Sequence, residues 1–311
     1  MPGNTKHNLL VILGPTASGK TGIAVRLASE IGGEIISADS RQVYRGMDLG
    51  TGKDLSEYEV GGRFVPYHLI DVIDPREEFN LFAFQRAFAA AYREVRNRGK
   101  AALLVGGTGL YLESVILKYP LRAVPEDPDL RERLAGLDME ALRDFYFSMT
   151  DVIPHNRTDL DDRDRLIRAV EIARHGGRDP AGVEEETLDA VSPLTVGIRW
   201  ERGELRGRIT RRLRDRLDAG LIEEVRALKD GGVSWERLDA FGLEYRYIAR
   251  YLRGRLSERE MFRSLETKIH QFAKRQETWF RRMERKGVAI RWFHFNDYDM
   301  LLEYVQERLS L

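Results

Sequence analysis

The sequence predicts an α/β fold: a parallel sheet flanked by helices, interrupted by a small all-helical insertion and completed by a helical C-terminal region. Three observations predict it. Short apolar runs at 8–13, 34–37 and 101–105 alternate with helical periods, the order that builds a three-layer parallel sheet. The composition changes between 123 and 190, where 18 acidic residues face 9 basic ones and prolines stand at 125, 128 and 180. From Glu204 onward the apolar positions follow a helical stripe almost without a break.

Asn8–Leu13 is apolar and ends at Gly14, as a buried parallel strand does. Thr21–Ile31 places Ile23, Ala24, Leu27, Ala28 and Ile31 on one helical face. Glu34–Ser37 reads as a second strand, Phe82–Arg98 as a helix, and Ala101–Val105 as a third strand that again meets glycines. Leu130, Leu134 and Leu137, then Leu166, Val170 and Ala173, give helical periods inside the acidic stretch. Leu194–Trp200 returns to the sheet. Ile209, Leu213, Leu217, Leu221, Val225 and Leu228 mark one apolar stripe, and a long helix follows over about 257–286. The domains expected are a first core part at 1–122, the insertion at 123–190, and core completion with C-terminal helices at 191–311.

Composition narrows the class. With 311 residues, about two domains are expected, and 42% hydrophobic content excludes wholesale disorder. No apolar run approaches the roughly 20 residues of a membrane span. The opening residues lack a signal-peptide pattern, so a cytoplasmic protein is expected, and a monomer. The absence of cysteine excludes disulfides, thiolate zinc sites and cysteine nucleophiles. The six histidines show no metal-ligand spacing. Net charge is zero, but it averages unlike parts: −9 over 123–190, +4 over 201–216 and +7 over 244–286.

The strongest motif is Gly14-Pro-Thr16-Ala17-Ser18-Gly19-Lys20-Thr21, a match to G-x-x-x-x-G-K-[ST] with a strand before it and a helix after. Its backbone N–H groups and the helix N-terminus can cradle a diphosphate or triphosphate. Lys20 neutralises phosphate oxygens, and the Thr21 hydroxyl suits a Mg²⁺ ion. The motif does not say that the phosphate belongs to a nucleotide. Asp39, just past the second strand, can hold such an ion through water, accept a proton from a nucleophile, or simply cap a turn. Val105-Gly-Gly-Thr108-Gly brings Thr108 to the same pocket or makes a tight strand-to-helix turn. Arg208 and Arg212 are four apart and flank the buried seam of their helix, so one can reach an anion in a cleft. In 244–286, basic residues interleave with Tyr245, Tyr247, Phe262, Phe272 and Trp279. His270–Arg282, with Lys274 and Arg275, is its most RNA-like piece. A small-molecule kinase is compatible with the phosphate loop alone. An RNA-binding GTPase-like module lacks its Asn-Lys-x-Asp string here.

Taken together, GPTASGKT, SADSRQVYRGMDLGTGK, VGGTGLYL, RDRLIRAVE, the Arg208 helix and QFAKRQETWFRR resemble the tRNA dimethylallyltransferases (tRNA isopentenyltransferases), over nearly the whole chain. The resemblance implies a kinase-like phosphate-loop core with a helical insertion that grips the anticodon stem. It implies transfer of a dimethylallyl group from dimethylallyl diphosphate to the N6 amine of the adenosine 3′ to the anticodon (position 37) of tRNA. Mg²⁺ is used, and ATP is not hydrolysed. By the same resemblance Asp39 matches the general base. Lys20 and Arg208 join it in catalysis, and Gly14, Thr16–Thr21 and Thr108 hold the diphosphate. Asp39, Ser40, Arg41, Gln42, Arg165, Arg168, Phe241, Gly242 and Arg246 match places that touch tRNA. The string Ile153-Pro-His-Asn-Arg157-Thr158 departs from the family's Ile-His-Pro-Asn, and the lack of cysteine excludes the zinc-finger tail of some eukaryotic members, which implies a bacterial type.

Overall fold

Five consecutive apolar residues, Leu9–Leu13, form strand β1, and all five are completely buried, as a central strand covered on both faces requires. The computed structural model describes residues 7–121, 124–151, 160–175 and 183–310. The other strands are β2 (Gly33–Ala38), β3 (Glu59–Val60), β4 (Arg63–Phe64), β5 (Tyr67–His68), β6 (Ala101–Gly106), β7 (Pro193–Arg199) and β8 (Ile290–His294). Six of them build one parallel sheet in the order β5-β2-β6-β1-β7-β8, while β3 and β4 pair as a separate hairpin.

Helices cover both faces. On one, α1 (Lys20–Ile31) packs Ile23, Ala24, Leu27 and Ala28 against the sheet beside the last helix of the chain, Tyr298–Arg308. On the other, α2 (Leu81–Asn97) and α3 (Gly109–Ile116) bury Phe84, Phe88, Tyr92, Tyr111 and Leu112. The Asn80 side chain caps α2 by accepting the Ala83 N–H, which fixes where that helix begins.

The chain divides into two units, one from Met1–Tyr119 with Val183–Leu311 and the other Pro120–Gly182. The second holds α4 (Pro128–Ala135), α5 (Met139–Met149) and α6 (Arg163–His175) around its own small core of Leu130, Leu134, Leu142, Tyr146, Leu166 and Val170. Its acidity is partly structural. Asp127 and Asp138 cap α4 and α5. Glu171 is buried, which opposes its charge, but hydrogen bonds from Arg131 and Arg168 bring it down to about 2. The span expected for the insertion, 123–190, also took in α7 (Val183–Asp189). In the structure α7 lies in the first unit and packs on α2, where Leu188 joins the core. The Ile153–Thr158 string falls outside the described residues.

The remaining helices, α8 (Arg202–Asp218), α9 (Leu221–Asp230), α10 (Trp235–Ala240), α11 (Leu243–Leu252) and α12 (Glu258–Arg285), form a third core with Val43, Tyr44 and Met47. Ser257 and Glu260 close a capping box that starts α12, a helix of 28 residues. The last helix is α13 (Tyr298–Arg308). Among the described residues, no helix is long and apolar enough to cross a membrane.

Candidate active site

The sheet register gathers the motifs. Leu13, Ala38 and Gly106 end three adjacent strands in register, so Gly14, Asp39 and Gly107 leave the sheet side by side at its carboxyl edge. That edge is where parallel α/β sheets bind ligands.

The phosphate loop is curled by left-handed residues at Ala17 (φ 63°) and Gly19 (φ 77°). Gly19 also has the Phe295 ring 2.5 Å from where a Cβ would stand, so no larger residue fits. Ser18 is fully buried and its hydroxyl has no partner among the described residues. Lys20 opens α1 with its ammonium 3.4 Å from the Pro15 carbonyl. Burial pushes that ammonium down to about 8, against the pull of Asp39, and Arg212 adds to the fall. Anion binding needs the charged form. Affinity for inorganic diphosphate, titrated directly, is therefore expected to be full below pH 8 and to fall as pH rises through it. A pH-independent affinity from 7 to 9.5 would remove Lys20 from the anion site.

Arginines at four-residue spacing on α8 present one row to this loop. The Arg208 Nε donates to the Ala17 carbonyl at 2.9 Å, and its guanidinium lies over Trp200 (4.4 Å) and Phe295 (5.4 Å). Trp200 in turn donates Nε1 to the Ser18 carbonyl at 2.8 Å. Arg212 donates to the Thr16 hydroxyl. Burial, then Arg216, brings its guanidinium down to about 9, so it stays cationic at neutral pH. Arg216 is buried and reaches Asp54 at 3.4 Å. Arg206, Arg211 and Arg214 take the other face, where with Thr210, Glu266 and His270 they line an open cleft against α12.

The opposite wall is built from β2 and β6. Asp39 accepts the Arg41 N–H at 2.9 Å, a turn bond that holds its carboxylate at the strand end. Thr108 accepts the Ser40 N–H at 3.0 Å, and its own N–H goes to the Ala38 carbonyl at 3.3 Å. Gln42 serves the scaffold: it accepts from Ser37 at 2.9 Å and donates to the Gly52 carbonyl at 3.0 Å. Two charged residues then fix the segment beyond it. Lys53, 1% exposed, donates to Tyr44 O, Asp48 and Asp71. Glu224 accepts three successive N–H groups, of Asp48, Leu49 and Gly50, together with the Tyr245 hydroxyl.

The residues matched to tRNA contacts are distributed unevenly. Arg41 lies beside Gly242, its Nε 3.6 Å from where a Cβ there would be. Phe241 is 1% exposed between Tyr44 and Tyr245, so its ring is core and shapes the wall from behind. Arg246 donates to the Asp239 carbonyl. Lys274 and Arg275 are exposed on α12. In the second unit Arg165 is exposed, whereas the Arg168 guanidinium is taken up by Glu171 and the carbonyls of Val124 and Pro125. That leaves Arg168 an internal tie of the insertion rather than an open contact.

Sequence reasoning missed Arg216 and Gln276 as site residues and named Arg212 only as a face partner of Arg208. The four-residue spacing was the signal for the arginines. Gln276 lies inside the QFAKRQETWFRR string, but its residue type does not separate it from the surface positions of a basic helix. Its Oε1 accepts the Thr16 N–H and its Nε2 donates to the Gly107 carbonyl, each at 2.8 Å.

Three strands delivering a phosphate loop, a carboxylate and a threonine to one edge, under a row of arginines, place the chain among α/β phosphate-loop proteins. The comparisons specify which. The family model described as IPP transferase matches residues 42–283, and that of isopentenyl transferase matches 7–63. The chain is 54% identical over 303 residues to tRNA dimethylallyltransferase 1 of Syntrophus aciditrophicus, covering 97% of this chain and 98% of that one. It is 57% identical over 291 residues to tRNA dimethylallyltransferase 2 of Pelobacter propionicus, covering 92% and 90%. Among solved structures, the full-length tRNA isopentenylpyrophosphate transferase of Bacillus halodurans superimposes with a TM-score of 0.69 at 31% identity, covering 97% of each chain. A eukaryotic dimethylallyltransferase acting on tRNA shares the fold at TM-score 0.73 and 22% identity, covering 92% of this chain and 73% of that one. The chain belongs to the tRNA dimethylallyltransferase family, a family of prenyl-transferring enzymes.

Proposed function

We propose that the protein transfers a dimethylallyl group from dimethylallyl diphosphate to the exocyclic amine of the adenosine next to the anticodon in tRNA, releasing diphosphate. The observation that carries the proposal is the adjacency of the phosphate loop to a wall bearing Asp39 and Thr108. One side suits a departing diphosphate and the other a proton-accepting carboxylate.

As the allylic C–O bond breaks, positive charge grows on carbon and negative charge on the diphosphate oxygen. The loop N–H groups, Lys20, Arg208 and Arg212 face that oxygen charge, and fixed dipoles and cations of this kind stabilise it most where water is excluded. The new C–N bond forms with the amine lone pair, and Asp39 takes the amine proton. The base must leave its stack to be reached, so the acceptor is an extruded adenosine. Exposed Lys274 and Arg275 supply backbone neutralisation along α12.

Among the described residues, no group of three or more His, Asp or Glu converges on a metal position. Mg²⁺ nevertheless fits this donor set, because it keeps most of its waters and takes phosphate oxygens with one or two protein oxygens. The Thr21 hydroxyl at the loop would hold it, with Asp39 through water. When bound, it neutralises charge on the diphosphate.

The test is direct: purified protein, labelled dimethylallyl diphosphate, Mg²⁺ and unmodified tRNA. Label is expected on the tRNA. Unlabelled tRNA, together with ATP turnover on a small acceptor, would replace this reading by a kinase. A second expectation concerns salt. Log affinity for tRNA should fall linearly with log salt concentration, and the Lys274→Ala, Arg275→Ala pair should shallow that slope by about 2. An unchanged slope would take these two residues out of the RNA contact.

A further inference from the structure

Gln276 stands on the long C-terminal helix, 260 residues from Thr16 in sequence, and is 7% exposed. Its carboxamide bridges two active-site loops. Oε1 accepts from the backbone of the phosphate loop, and Nε2 donates to the carbonyl just before Thr108. A Cβ built on Gly107 would meet Gln276 Nε2 at 2.5 Å, the Gly14 carbonyl at 3.3 Å and Lys20 Nζ at 3.5 Å. The bridge therefore crosses where Gly107 of the acceptor wall lies against Gly14 and Lys20 of the phosphate loop. Thr16 is held twice, by Gln276 at its amide and by Arg212 at its hydroxyl. That amide is thus committed to the protein rather than to the diphosphate, which changes the role expected for Thr16 from ligand to anchor.

Within the prenyl-transfer reading above, on which this rests, we propose that Gln276 is a positioning residue. It sets the gap between the phosphate loop and the Asp39–Thr108 wall, and so the approach of the amine nitrogen to the allylic carbon. Two properties favour this over a general packing role. The carboxamide uses one acceptor and one donor on two different loops, which no apolar residue of the same size can do. Lys274 and Arg275, its immediate neighbours on α12, are exposed, so the helix that presents cations to RNA also grips the donor loop from its buried face. A misplacement of about 1 Å in such a gap is enough to cost roughly a hundredfold in rate.

The experiment compares Gln276→Leu and Gln276→Glu with wild type in three readouts: turnover, affinity for inorganic diphosphate with Mg²⁺, and affinity for tRNA. Gln276→Leu removes both bonds. Gln276→Glu keeps the acceptor for Thr16 but loses the donor to Gly107, and serves where the leucine variant does not fold. Turnover is expected to fall on the order of 10- to 100-fold in both. Diphosphate affinity should fall in both variants, through the lost Thr16 bond in the leucine variant and the added negative charge near Lys20 in the glutamate one, and tRNA affinity should stay within about twofold, the spread left by a change under half a kcal/mol. Wild-type turnover in a folded variant would overturn the proposal, as would an equal loss of all three readouts, the mark of a merely structural residue. Diphosphate binding does not depend on transfer. A wild type that binds diphosphate but labels no tRNA would count against the transfer reading, separately from Gln276.

Discussion

Asp39→Ala is expected to lower prenyl transfer by roughly 10²–10⁴-fold, the range for removing a positioned general base, while both substrates still bind. The geometry motivates each half. Asp39 follows β2 directly, is half-buried and accepts the Arg41 N–H, so the alanine variant loses a turn bond rather than core packing. The diphosphate side is held by other groups: the loop backbone, Lys20 and the α8 arginines. Affinity for inorganic diphosphate measured without Mg²⁺ should therefore change little. Asp39→Asn keeps the turn bond, because its side-chain oxygen can still accept, and isolates the loss of proton acceptance. Transfer by the asparagine variant within about threefold of wild type, well short of the range for a lost base, would remove Asp39 from the base role.

Arg208→Ala is expected to lower turnover by about 10²–10³-fold, comparable to removing one donor from an oxyanion site. Its guanidinium is pre-placed before any ligand arrives: Nε is tied to the Ala17 carbonyl, and the plane rests on Trp200 with Phe295 near it. A group held this way needs little reorganisation when charge develops. Arg208→Lys should rescue poorly, since an ammonium carries charge but neither stacks as a plane nor keeps the fixed fork. The split between parameters is the diagnostic. A fall in turnover with donor KM little changed marks stabilisation of the transition state, whereas a raised KM with unchanged turnover would make Arg208 a ground-state binder only.

Much of the core was legible because it is local. The phosphate loop declares itself in eight residues, and β1, β2 and β6 are short segments rich in apolar residues set between helical periods. The Arg208 row was half legible, since helical spacing states which residues share a face but not what that face meets. β5 and β8 were not legible. β5 is two residues long, and β8 is an edge strand whose exposed Arg291 breaks the apolar run. Lys53, Glu224 and Gln276 were opaque for a different reason. Lys53 and Gln276 are buried and Glu224 is half-buried, each held by partners 5 to 260 residues away, and composition assigns such residues to the surface. Within the insertion a charge count also hides individual roles: Asp127 and Asp138 are helix caps, and Glu171 is paired with Arg131 and Arg168.

The sheet order has a consequence for how the protein is made. β1 is flanked by β6 on one side and β7 on the other, and Leu9 pairs with Pro193, 184 residues further along. At elongation rates of about 5–20 residues per second, that partner leaves the ribosome roughly 10–40 s after β1 does. For the first half of that interval β1 has neither neighbour, and once β6 (Ala101–Gly106) has been made it still carries one open edge until β7 arrives. The last edge strand, β8, and the arginine helix that completes the anion site come later still. The anion site is therefore assembled only after the arginine helix has been made, and the exposed period of β1 is set by the length of the insertion and the segments around it.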